Sequence, residues 1–176
     1  MMVHSRNLFL AAASLASLAS PALAQSAPVP DNIAVPKDHV VKVRLQGSGV
    51  QIYECRSGEG GAFQWVFVAP EAALSDESGK PVGSHFAGPT WEATDGSRIG
   101  GKLTAKAPSP DGKSIPWLLL QATQQQAGAT FAGVDLVQRI DTSGGSAPAE
   151  GCGAGTLHAQ ARVPYTARYV FLAPAN

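Results

Sequence analysis

Hydrophobic and polar positions alternate with a period of two along most of this chain. From His39 to Gln46, Val41, Val43 and Leu45 alternate with Lys42 and Arg44. From Val50 to Arg56, Val50 and Ile52 oppose Tyr53 and Cys55. Successive side chains of a strand point to opposite faces, so both segments are predicted as strands, with Gly47-Ser48-Gly49 as the turn of a hairpin. Ala62 to Ala69 sets Phe63, Trp65 and Phe67 on one face and Val66 and Val68 on the other. That pattern predicts a central strand buried on both faces and stopped by Pro70. Glu71 to Lys80 reads as a helical turn or a long loop, and extended structure resumes from Gly83 to Trp91.

Asp95-Gly96 is a hairpin signal between Thr90–Thr94 and Ser97–Lys106, with Asp95 as the first residue of a type I′ turn. Ala107 to Gly112, with two prolines, is a loop, and Ile115 to Ala122 is dense enough in apolar groups to be another buried strand. Thr130 to Thr142 alternates loosely, and Ser143 to Gly155 reads as a flexible loop. In the last segment Val163, Tyr165, Ala167, Tyr169 and Phe171 share one face, with Pro164 dividing the strand or marking a bulge. About eight to ten strands at roughly ten-residue spacing predict an all-β antiparallel sandwich or barrel. No strand alternates with a long amphipathic helix, which argues against a doubly wound fold.

The N-terminus departs from this pattern. His4 and Arg6 precede the apolar run Leu8 to Ala19, and Ala22-Leu23-Ala24 supplies small residues at both recognition positions. Residues 1–24 are therefore expected to be a signal peptide cleaved after Ala24, which places the mature chain in the periplasm or outside the cell. The apolar run is about a dozen residues, short of the roughly 20 needed to span a bilayer, and no transmembrane segment is expected in the mature chain. Residues 25–38 form a proline-rich, extended lead-in, and 39–173 one β-rich domain. Two cysteines in an exported chain, Cys55 and Cys152, predict a disulfide.

Composition narrows the partners. The chain has 13 basic and 13 acidic residues. Removing the leader takes Arg6 and no acid, leaving 12 against 13, or −1, with no basic patch to capture nucleic acid. Nucleophile-elbow, zinc-protease, phosphate-loop, dinucleotide and C-x-x-C motifs are all missing, so no cofactor is implied. The mature histidines His39, His85 and His158 lack metal-ligand spacing, and no metal is expected.

The densest polar and aromatic segment runs from Gly83 to Gly96 and brings His85, Trp91, Glu92 and Asp95 together. His85 is either a base or ligand oriented by Glu92 or Asp95, or the end of a strand beside a solvated glutamate and an ordinary turn. Trp65 and Trp117 lie within apolar strands and belong to the core, whereas Trp91, between Thr90 and Glu92, is the exposed one. Gln138-Arg139 and Arg162 to Tyr165 read as buried-polar or ion-pair features near a sheet edge.

Gly49 to Cys55 (GVQIYEC), Phe67 to Ala72 (FVAPEA), Val82 to Glu92 (VGSHFAGPTWE), Ile115 to Leu120 (IPWLLL) and Arg162 to Ala167 (RVPYTA) are longer than chance motifs. In these segments the chain resembles the exported bacterial and fungal "domain of unknown function 3455" family, over about Pro30 to Leu172. The resemblance implies a single exported domain and brings no activity, cofactor or catalytic residue. The expected function is thus a non-enzymatic module binding a small molecule, glycan or envelope component, with His85, Trp91 and Glu92 at the recognition surface. The alternative is a small hydrolase or metal-assisted enzyme using His85 with Glu92 or Asp111.

Overall fold

A computed structural model describes residues 27–175. The expected signal peptide and its cleavage site lie outside them. Eight strands follow in chain order: β1 (His39–Ser57), β2 (Phe63–Ser75), β3 (Pro81–Phe86), β4 (Thr90–Ala93), β5 (Arg98–Ala107), β6 (Trp117–Gln126), β7 (Leu136–Gly144) and β8 (Gln160–Pro174). Each pairs antiparallel with the next and β8 returns to β1, so the sheet closes into an up-and-down barrel. Of the two architectures expected for an all-β chain, closure selects the barrel and removes both sheet edges.

Alternation along each strand fills the two sides of the wall. Inward go Leu45, Leu74, Trp91, Ile99, Leu120, Val137, Tyr165, Ala167, Tyr169 and Phe171, all buried. Outward on β6 to β8 go Trp117, Leu136, Ile140, Val170 and Leu172, a second apolar cluster that needs its own cover. The lead-in supplies it. Its backbone is polyproline-like at Pro30 and Ala34, but Asp31–Ile33 turns as a short 3-10 segment that buries Ile33 completely. Gln138 Nε2 donates to the Ile33 carbonyl at 2.7 Å, and Asn32 Nδ2 to that of Lys106 at 2.9 Å.

Several local expectations are corrected. Gly47-Ser48-Gly49 is not a turn: β1 runs straight through it, paired with β2 on one side and β8 on the other. The glycines are there for space. A Cβ on Gly49 would lie 2.1 Å from the Glu71 carbonyl oxygen, and one on Gly47 would lie 2.6 Å from the Tyr169 ring. Pro70 does not stop β2, because a bulge beside Ile52 and Tyr53 lets it sit opposite Gln51, and the strand runs on through Glu71 to Ser75 in place of a helical turn. The first half of β2 is not buried on both faces: Phe63, Phe67 and Val68 are exposed where the strand rises out of the barrel. Pro164 sits within an unbroken β8, opposite Val50.

At Asp95-Gly96 the hairpin forms between β4 and β5 as expected. Only Gly96 takes a positive φ (81°), so the turn is a type I with a left-handed glycine, not a type I′. The Asp95 carboxylate accepts bonds from Ser97 and, across the end of the barrel, from Thr130 N (2.8 Å) and Oγ1 (3.0 Å).

Substituting Gly49 by valine is expected to destabilise the barrel by about 1–3 kcal/mol, the usual range for overpacking, because the obstructing atoms are backbone and cannot swing away. Gly153, with nothing within 4 Å of its Cβ position, is the control, and its alanine variant should stay within about 0.5 kcal/mol of the wild type. Urea midpoints of the two variants measure the difference.

Candidate functional site

The β1–β2, β3–β4, β5–β6 and β7–β8 connections gather at one end of the barrel. There Cys55, at the end of β1, is bonded to Cys152 in the β7–β8 connection, which is the disulfide the sequence predicts. Further bonds hold the same connection down: Trp65 Nε1 donates to the Glu150 carbonyl at 2.9 Å and Tyr53 Oη to that of Gly145 at 2.7 Å. Trp65 is thus half-buried under a loop, not a core residue.

Beneath this end lies a cavity of about 110 Å³ that opens into the barrel interior. Gln51, His85, Trp91, Arg139 and Tyr169 form its deep wall, while Phe67, Pro70, Pro89 and Leu118 form its mouth. The deep groups reach it because β1, β3, β4, β7 and β8 each turn an inward position to this level. A wider groove of about 560 Å³, beside the β2–β3 turn, is an open surface depression between Arg44, Asp76, Glu77 and Arg168. The enclosed cavity, by contrast, presents deeply buried polar side chains, and the chemistry gathers there.

His85 and Trp91 are cross-strand partners in the β3–β4 hairpin, with ring centroids 4.6 Å apart and planes 9° from parallel. Trp91 is 1% exposed, which corrects its expected surface position: it faces Ile99 across the inner wall, and Gly101 leaves room for its ring. His85 is 3% exposed, and its Nδ1–H donates to the Thr90 carbonyl at 2.8 Å. That bond selects the tautomer with a lone pair on Nε2. Burial, helped by the nearby Arg139 charge, pushes the His85 pKa down to about 4, so the ring is neutral at pH 7.

Arg139 enters from β7. Its Nε and Nη2 donate to the Pro116 carbonyl at 3.2 and 2.8 Å, and no carboxylate pairs with it among the described residues. Behind it the Tyr165 and Tyr169 hydroxyls share a hydrogen bond at 3.1 Å. Burial raises the pKa of both phenols, that of Tyr169 well above 10, and they stay neutral. Gln51, 2% exposed, approaches the Tyr165 hydroxyl closely enough to lower that phenol's pKa slightly, yet its Nε2 meets no acceptor at hydrogen-bonding geometry.

The other expected site residues are elsewhere. Glu92 follows Trp91 on β4 and therefore faces the opposite side of the wall, where it pairs with Arg98 at 2.5 Å. Asp111 is committed to its own loop, accepting from Ser109 Oγ, Lys113 N, Ser114 N and Ser114 Oγ. Neither is brought to His85. The other histidines are separate too: His39 sits between Asp38 and Asp135, and exposed His158 beside Glu54. Among the described residues no three potential ligands converge on a metal site.

Gln51 and Tyr169 are site residues that the sequence reading missed. The inward face of β8 already carried Tyr169. For Gln51 the spacing puts it on one face with Tyr53 and Cys55, but a lone glutamine there does not by itself mark a site. Arg139, expected as a buried-polar or ion-pair feature near a sheet edge, is partly buried, bonds to a backbone carbonyl and lies in a wall that ring closure leaves without an edge.

Fold and site together define a small closed β-barrel, stapled at one end over a polar-floored cavity. The family model described as "Protein of unknown function (DUF3455)" matches residues 36–173, and the chain belongs to that family. No curated protein and no solved structure matches it. No helix among the described residues is long and apolar enough to cross a membrane.

Proposed function

We propose that this domain is a non-catalytic binding module that takes up a small molecule at the mouth of the barrel. The observation that carries the reading is the unpartnered Gln51 amide on the wall of an otherwise apolar-mouthed cavity. A buried donor left without an acceptor costs about 1–3 kcal/mol, and a ligand acceptor would relieve that cost. His85 Nε2 supplies a complementary acceptor, and the Trp91 and Phe67 rings supply flat apolar contact. Among the described residues no serine, threonine, cysteine, aspartate or glutamate lines the cavity, and a histidine with a pKa of about 4 is a weak base at neutral pH. Binding fits this inventory better than nucleophilic or acid–base chemistry. The disulfide supports a working location in the periplasm or outside the cell.

A fragment library screened by protein-observed NMR tests the reading. Bound fragments are expected to shift the Trp91 indole and Gln51 side-chain amide signals together, and Gln51→Leu to weaken them about tenfold, the loss of one hydrogen bond of ordinary strength. A screen whose binders all shift other residues, or that finds none, refutes it.

A further inference from the structure

Resting on that reading, we infer that the ligand is a small carboxylate with a flat apolar body, its carboxylate on Arg139 and Gln51 and its body between Trp91 and Phe67. The donors and acceptors of the cavity are unbalanced. Arg139 brings a permanent positive charge into the wall, and Gln51 brings an amide N–H₂ without an acceptor. Against them the lining offers only neutral acceptors, His85 Nε2, the Gln51 side-chain carbonyl and the Tyr169 hydroxyl, and no anion among the described residues. The groups that face Arg139 from neighbouring strands are the phenols of Tyr53, Tyr165 and Tyr169, all neutral at pH 7. A half-buried cation answered only by the Pro116 carbonyl and by hydroxyls keeps an uncompensated charge, which an incoming anion would neutralise.

Shape narrows the anion further. A guanidinium fork matches a planar carboxylate with two parallel bonds. The stacked His85 and Trp91 rings line one side of the cavity with planar aromatic groups. Its volume of about 110 Å³ is somewhat below that of an engineered cavity of about 150 Å³ known to admit benzene, and here the open mouth adds room for a ring against Phe67, Pro70 and Leu118.

Three probes test this on the oxidised full-length protein by NMR titration: sodium benzoate, benzamide as its neutral isostere, and inorganic phosphate. Benzoate is expected to bind at the Trp91 and Gln51 signals at least about tenfold more tightly than benzamide, as for a hydrogen bond to a charged group. Arg139→Gln should weaken benzoate by a similar factor and benzamide by clearly less, so that the preference for the acid shrinks. Arg139→Lys, which keeps the charge but not the fork, provides the same comparison if the glutamine variant does not fold, and should fall between. Benzamide binding as tightly as benzoate, or benzoate affinity indifferent to Arg139, overturns the carboxylate assignment while leaving the binding site intact. Phosphate binding more tightly than benzoate overturns the planar-acid choice. If no probe and no library fragment reaches these signals, the binding reading falls as well.

Discussion

Replacing Cys55 and Cys152 together by alanine is expected to lower stability by about 4–5 kcal/mol, the chain-entropy value for a loop of this length. The two residues are 97 positions apart, so the bond constrains most of the domain in its unfolded state. In the folded state its work is shared. Cys55 N donates to the Ala159 carbonyl and His158 N to the Cys55 carbonyl, both at 2.9 Å, and Trp65 reaches Glu150. The alanine variant should therefore keep the native NMR fingerprint at the barrel mouth while its urea midpoint falls steeply. A loss under about 1 kcal/mol would mean that the reduced chain is already compact before it folds.

Acidification from pH 6.5 to 4 is the second large effect, with an expected loss of about 3 kcal/mol attributable to His85. Its pKa is held near 4 in the fold, against 6.5 for a free histidine, because the protonated ring would be buried against Trp91 beside the Arg139 cation. Between those values the unfolded chain binds a proton that the folded chain refuses, so stability rises with pH across this window, by up to about 1.4 kcal/mol per unit. His39 acts in the opposite sense. Hydrogen bonds that its ring donates to Asp38 and Asp135 raise its pKa, so its contribution is complete below 6.5 and is lost as pH rises through the folded value. Carboxylates with lowered pKa values, such as Asp76 and Glu54, begin to lose their contribution below about pH 5, at the acid end of this window, and go on losing it at lower pH. Unfolding midpoints of the wild type and His85→Phe, measured across pH 4 to 6.5, isolate the term. The phenylalanine variant should flatten the slope, and an unchanged slope would assign acid sensitivity to another group.

The strands were legible wherever one face is consistently apolar. On β8, Tyr165, Ala167, Tyr169 and Phe171 all point inward as their spacing predicts. Reading failed where glycine and proline serve tertiary geometry. Gly47 and Gly49 look like a turn because nothing local reveals the Tyr169 ring and the β2 backbone pressed against them. Pro70 looks like a stop because the bulge that accommodates it is set by pairing with β1. For the site, segment density found His85 and Trp91 but included Glu92, since a one-residue step reverses the face of a strand. Arg139 and Tyr169 are register partners on the consecutive strands β7 and β8, and closure of the ring through β1 brings Gln51 to their level.

That ring is sealed by its first and last strands. His39 to Glu54 pair with Gln160 to Pro174, so the longest seam joins the two ends of the domain. A nascent or partly delivered chain lacking its final segment has β1 and β7 with open edges, and every local hairpin it forms still awaits a partner from the far terminus. Closure of the ring is thereby tied to the arrival of β8. Until that last strand arrives the chain is a substrate for chaperones and a risk for edge-to-edge association.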